Sequence, residues 1–169
     1  MEHIQHQMIS EIPALRRYAR ALTRDIDAAD DLVQDCLERA WKRQGLWASG
    51  SNLRAWLFTI MHNLYINGVR YRARRPITEP YNIEDHPDGL NHTPDIDIQL
   101  AELENALQHL PIEQREVLAL VAVEGQSYKQ VSKIIDVPVG TVMSRLHRGR
   151  EELRKQLFSE PPVKLRRIK

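Results

Sequence analysis

GQSYKQVSKIIDVPVGTVMSRLHRGREEL, Gly125–Leu153, is the stretch that decides the fold of this chain. Ser127 followed by Gln130 has the spacing of a capping box, in which the serine hydroxyl and the glutamine side chain satisfy each other's backbone N–H groups. Tyr128, Val131, Ile134 and Ile135 then give a short helix an apolar face. Asp136-Val137-Pro138 breaks it, and a second helix begins near Val139 or Gly140. In that helix Val142, Leu146, Gly149, Leu153 and Leu157 form the stripe predicted to be buried. Met143, Ser144, His147, Arg148 and Glu151 are left outward, with Arg145 and Arg150 at the flanks. Two short helices joined by a tight turn, the second presenting polar and basic side chains, is the helix-turn-helix layout. Its second helix enters the major groove of duplex DNA with its N-terminal residues foremost. A basic amphipathic helix standing alone is more often a solvated face. The capped preceding helix, the three-residue break and the small Gly140-Thr141 start, with amides and a hydroxyl for a phosphate, favour DNA.

Outward from this stretch, helical periodicity dominates and no alternating strand pattern is convincing. Pro111 suits the first turn of a helix through Val117, Leu118, Leu120 and Val121 that Gly125 closes. Before it, Leu100, Leu103, Leu107 and Leu110 repeat at helical spacing. In the first half, Leu15, Tyr18 and Leu22 mark one helix after Pro13. Asp27 reads as the N-cap of a second helix, whose stripe is Leu32, Val33, Cys36, Leu37, Ala40 and Trp41 and whose end falls at Gly45. The segment LWASGSN reads as a loop, and Leu53, Trp56, Leu57, Ile60, Met61 and Leu64 mark a third helix running to Pro76.

Composition bounds the reading. The chain has 169 residues, 42% hydrophobic and 28% charged, which fits a soluble globular protein. No apolar run reaches the roughly 20 residues of a membrane crossing, and the first residues lack the pattern of a secretory signal. A single cysteine, Cys36, excludes an intrachain disulfide and suits a cytoplasmic location. The net charge of +1 conceals an uneven distribution. Residues 1–76 carry 12 basic against 8 acidic side chains, 77–98 none against 6, and 99–169 carry 12 against 9. The middle stretch also holds Pro80, Pro87, Gly89 and Pro94, and reads as an extended or disordered tether. The expected architecture is therefore all-α, with two small helical domains, 1–76 and 99–169, joined by an acidic flexible linker at 77–98.

PVGTVMSRLHRGREEL, Pro138–Leu153, resembles the region 4 recognition helix of the extracytoplasmic-function sigma factors, members of the sigma-70 family. DDLVQDCLERAWKR, Asp30–Arg43, resembles their region 2 helix that binds core polymerase, and NLRAWLFTIMHNLYINGVR, Asn52–Arg70, their promoter-melting helix. The resemblance covers almost the whole chain in the right order. It implies a factor that binds core RNA polymerase at its clamp helices and flap, recognises the −35 and −10 promoter elements, melts DNA and directs initiation. For the −35 element it implies Gly140, Thr141, Met143, Ser144, Arg145, His147 and Arg148. There Arg148 suits a bidentate bond to guanine, a contact worth about 1–3 kcal/mol of discrimination. Met143 departs from the basic residue often found at its position and can only pack. For the −10 element it implies the loop Trp47, Ser49, Gly50, Ser51 and Asn52, then Asn63, and Arg70, Arg72, Arg74 and Arg75 on upstream phosphates. For polymerase it implies Asp31, Leu32, Gln34, Asp35, Glu38 and Arg39. SNLRAWLFTI and ALRRYARALTRD are reminiscent of the general-stress branch, and an anti-sigma factor is an implied partner.

Competing readings are fewer. The histidines are scattered, no nucleophile sits in a motif, and neither a metal site nor a cofactor is expected, so an enzyme is disfavoured. His86 and His92 beside Asp85 and Asp88 lie in the proline-rich tether and read as linker rather than metal site. An ordinary helix-turn-helix regulator explains only the last third of the chain. The stronger rival is a sigma-like decoy that binds an anti-sigma factor without engaging DNA. Such a decoy has no need of the arginines at 70–75 or on the recognition helix.

Overall fold

A computed structural model describes residues 2–47, 50–74 and 102–158, and all regular structure among them is helical. The first half holds α1 (Glu2–Ser10), α2 (Ile12–Thr23), α3 (Ile26–Lys42) and α4 (Leu53–Arg74), with a 3-10 turn at Gln44–Leu46. The second half holds α5 (residues 102–108), α6 (Ile112–Leu118), α7 (Tyr128–Ile135) and α8 (Val139–Phe158). α6 continues through a π turn at Ala119–Val123 before Gly125, at φ +66°, ends it. The tether at 77–98 lies outside the described residues.

Each helix forms where its sequence supplies a face and a cap. Leu15, Tyr18 and Leu22 of α2 are all buried, joined by Ala14 and Ala19. In α3, Leu32, Val33, Cys36 and Ala40 turn inward and Leu37 packs at the edge, whereas Trp41 is 41% exposed. The cap of α3 is Asp25 rather than Asp27: its carboxylate accepts from the Ala28 N–H at 2.7 Å, so Asp27 falls in the first turn. The helix also stops at Lys42, and Gly45 sits in the 3-10 turn beyond it. Asn52 caps α4 through a 3.0 Å bond from the Ala55 N–H. Leu53, Leu57, Ile60 and Met61 are buried as the spacing requires, together with Phe58, which packs edge-on against Tyr18 with ring centroids 4.9 Å apart. α1 was not legible from periodicity; among its described side chains, Met8 is buried in the core and Ile4 packs against it.

The two halves pack against each other. One continuous core runs from Met8 through Tyr18, Leu57 and Met61 to Val117, Val131 and Leu146. α6 lies on α2 and α7 lies on α4, so the second half closes over the side of the first that α3 leaves open. α8 is carried by α6 and α7.

Candidate nucleic-acid interface

The helix-turn-helix forms as its sequence dictates. Both halves of the capping box are made: Ser127 N–H donates to Gln130 Oε1 at 2.9 Å, and Gln130 N–H donates to Ser127 Oγ at 3.2 Å. α7 buries Val131, Ile134 and Ile135, while Tyr128 stays at the surface. Asp136 closes α7 in the left-handed conformation, at φ +54°, and Val137 N–H returns to Ser132 O. α8 then starts at Val139 and buries Val142, Leu146 and Gly149 against α6 and α7. A Cβ on Gly149 would lie 2.8 Å from Leu118 Cδ1, so the absence of a side chain there lets α8 approach α6. Leu153 packs at the margin, and Leu157 is exposed at the helix end.

With α8 seated in this way, Met143, Ser144, His147, Arg148 and Arg150 form one exposed face, with Gly140 exposed at its start and Thr141 and Arg145 half-buried beside it. The Ser144 hydroxyl donates to Thr141 O at 3.1 Å within the helix, which leaves an acceptor lone pair outward. Met143 is 53% exposed, a bare thioether between polar neighbours. Neither Arg148 nor His147 is drawn into an ion pair among those formed by the described residues.

The first half presents two further surfaces. Asp31, Gln34, Asp35, Glu38 and Arg39 are exposed along α3, opposite its core stripe. Leu32 differs from them: it is 9% exposed and belongs to the core, because its position on the wheel falls with Val33 and Cys36. The second surface combines the loop before α4 with the outer side of that helix. Gly50, Ser51, Asn52, Asn63, Arg70, Arg72 and Arg74 are exposed, and Ser49 and Arg75 lie outside the described residues. Trp47 is half-buried against the core, and its indole N–H finds no hydrogen-bond partner among the described residues. The Asn52 side chain is engaged as the α4 cap, so its amide nitrogen is the group left to offer.

Residues that pattern alone did not single out lie between the halves. The Tyr18 hydroxyl donates to Glu116 Oε1 at 2.6 Å, and His62 Nδ1 meets the same oxygen at 2.6 Å. Arg17 grips Glu124 with two bonds of 2.7 and 2.9 Å. Arg115 donates to Ala21 O in α2 and, at 2.8 Å, to Leu110 O. Burial pushes the Tyr18 phenol well above its ordinary range, with the Glu116 carboxylate adding to it. Burial lowers the Arg115 guanidinium, and the bonds to Glu124 raise that of Arg17. Glu116 and Glu124 could have been noticed as acids bracketing the apolar run VLALVAV, where a soluble helix face has no need of them.

Comparison with known proteins assigns the whole arrangement. Residues 8–62 match the family model described as the Sigma2 domain of PhyR, and residues 100–153 match Sigma-70, region 4. The ECF RNA polymerase sigma factor EcfG of Rhodopseudomonas palustris is 36% identical over 163 residues, covering 93% of this chain and 86% of that one. The chain belongs to the extracytoplasmic-function sigma factors. Among solved structures, the sigma factor RpoE of Bartonella quintana, in complex with the anti-sigma factor NepR, superposes with a TM-score of 0.77 at 32% identity. That likeness covers 95% of this chain and all of the other. CnrH, solved in complex with the cytosolic domain of CnrY, follows at a TM-score of 0.67 and 25% identity, covering 93% of this chain and 88% of that one. The all-α class with a region 4 helix-turn-helix is therefore the fold of this sigma factor. No helix among the described residues is long and apolar enough to cross a membrane, and none of their His, Cys, Asp and Glu side chains gather into a metal-binding group.

Proposed function

We propose that this sigma factor works in the cytoplasm on core RNA polymerase, docking through the exposed side of α3. Asp31, Gln34, Asp35, Glu38 and Arg39 supply that surface, and no packing role explains why they are clear of the core. The helix dipole accounts for Asp27 in the first turn of α3, but for neither Asp31 nor Asp35 further along. The loop from Trp47 to Asn52 and the outer side of α4 take the −10 element as single strand. Extracting a base from the stack costs a few kcal/mol and calls for a receptive pocket. Arg70, Arg72, Arg74 and Arg75 hold upstream phosphates. The α8 face takes the −35 element in the major groove, with Arg148 placed for guanine and Met143 for apolar contact. Residues 1–76, 77–98 and 99–169 serve as region 2, linker and region 4. An anti-sigma factor restrains the protein until it is needed, a reading supported by the complex of RpoE with the anti-sigma factor NepR.

The exposed basic face of α8, where neither His147 nor Arg148 is ion-paired among the described residues, carries the reading. Substitution of both Gln34 and Asp35 by alanine tests its other half. Neither side chain is buried, so the thermal melt is expected to be unchanged while binding to purified core polymerase is lost; retained binding would remove α3 as the docking surface. The Sigma2 match to PhyR favours one second reading, that of a sigma-like decoy for an anti-sigma factor. A decoy would bind that factor tightly and leave core polymerase inactive at every promoter.

A further inference from the structure

Sulfur is sparingly and unevenly placed in this chain. The sequence holds four methionines and one cysteine, and of these only Met1 lies outside the described residues. Met8 and Met61 are 5% and 0% exposed and belong to the core. Cys36 is buried as well, its thiol donating to Leu57 O at 3.4 Å. Burial pushes that thiol up to about 12, so it carries almost no thiolate, the form that oxidants attack. Met143 differs from all of these. It is 53% exposed, and among the described residues it is the one sulfur open to solvent.

Its place in the fold makes that exposure matter. Met143 lies in the second turn of α8, which starts at Val139, on the face shared with Ser144, His147 and Arg148. The N-terminal part of such a helix is the part that enters the major groove. A thioether donates no hydrogen bond and accepts only weakly, so Met143 offers apolar contact, of the kind a thymine methyl group takes up. Oxidation reverses this character, because a sulfoxide is polar and chiral. The new acceptor oxygen would stand on the strip of helix that carries His147, the i+4 neighbour, and compete with bases for its ring N–H. Met143 is no part of the core, so none of this disturbs the packing of α8 on α6 and α7.

We propose that Met143 is an oxidation site, through which hydrogen peroxide changes what the recognition helix reads while the fold stays intact. In the reaction the thioether sulfur bonds to one peroxide oxygen as the O–O bond breaks. The proton on that oxygen passes to the departing hydroxide, which leaves as water. Sulfur loses two electrons and the peroxide gains them, giving the sulfoxide. Methionine sulfoxide reductases return the thioether, so the modification is reversible. The consequence for promoter choice rests on the reading of α8 as the −35 helix, whereas the reactivity of Met143 stands without it.

The full-length chain, treated with hydrogen peroxide and repurified, would be mapped by mass spectrometry and then joined to core polymerase to select −35 sequences from a randomised library. Sulfoxide is expected at Met143 well before Met8 and Met61, with an unchanged thermal melt. The oxidised chain should bind the sequence that the untreated chain prefers about five-fold more weakly or worse, as for one mismatched base pair. Methionine sulfoxide reductases acting on both epimers should restore that binding. Met143→Leu, compared only with itself before and after treatment, keeps an apolar side chain that peroxide leaves alone, and should show no loss. Earlier oxidation of Met8 or Met61, or a melt that falls as Met143 is oxidised, overturns the proposal. So does an equal loss in Met143→Leu, or unaltered −35 selection by a chain oxidised at Met143. If the untreated holoenzyme selects no −35 sequence, the functional reading fails instead, and the peptide map alone decides whether Met143 is the reactive sulfur.

Discussion

Gly149 is the position where backbone packing and DNA reading meet, and Gly149→Ala is the sharpest probe of it. In place of its hydrogen, a Cβ would lie 2.8 Å from Leu118 Cδ1, 3.3 Å from Leu118 Cγ and 3.4 Å from Gln114 Cβ. Overpacking of this kind costs about 1–3 kcal/mol. Against that, alanine in a helix interior gains about 1 kcal/mol over glycine. Gly68, in α4, isolates the second effect, since nothing lies within 4 Å of the Cβ it would acquire. Gly68→Ala should therefore stabilise the protein by about 1 kcal/mol. Gly149→Ala should lie about 1–3 kcal/mol below it, the propensity term cancelling between the two. At about 2–4 °C per kcal/mol for a chain of this size, paired thermal melts resolve that gap. The displaced α8 should also weaken promoter binding by the holoenzyme, where Gly68→Ala leaves it unchanged. Two equally stabilising substitutions would refute the close approach of α6 and α8, and with it the placement of the recognition face.

Two further outcomes follow from named side chains. Arg148→Ala should lower transcription selectively, costing about 1–3 kcal/mol at promoters with the preferred base pair at one −35 position and little at variants lacking it; an equal loss across a base-substitution series would make Arg148 a phosphate contact. Burial pushes the Cys36 thiol up to about 12, from an ordinary value near 9. A raised folded-state value means that its contribution to stability is complete below pH 9 and is lost as the pH climbs toward 12. Urea melts of wild type and Cys36→Ala should therefore diverge in slope against pH across that window, and parallel slopes would contradict the buried, protonated thiol.

Much of this architecture was legible because most of its helices carry a one-sided apolar stripe and local end signals. Ser127 and Gln130 announced α7 by spacing alone, and Val142, Leu146 and Gly149 announced which side of α8 is inward, so the outward residues followed by subtraction. The misplaced cap shows the limit of local reading: Asp25 and Asp27 are equally competent acceptors, and only the backbone path of the preceding turn selects Asp25. Leu32 was assigned to a surface through its place in a motif, whereas its angle on the helix put it with Val33 and Cys36. Trp41 shows the reverse, a stripe residue left at the rim because α3 outruns what it packs against. The greatest omission was the set of polar contacts between the halves. Tyr18 read as apolar stripe, and Glu116 and Glu124 drew no reading, because pairing across about 100 residues of sequence leaves no periodic trace.

Run-off transcription with purified core RNA polymerase tests the central claim most directly. Templates bearing a library of −35 and −10 sequences at fixed spacing would be transcribed with the full-length chain added, and the products sequenced. The account predicts transcripts that depend on the chain, enriched for one −35 and one −10 motif, with the −35 preference altered by Arg148→Ala. No transcript above core polymerase alone, together with tight binding to an anti-sigma factor, would contradict it and make the protein a decoy.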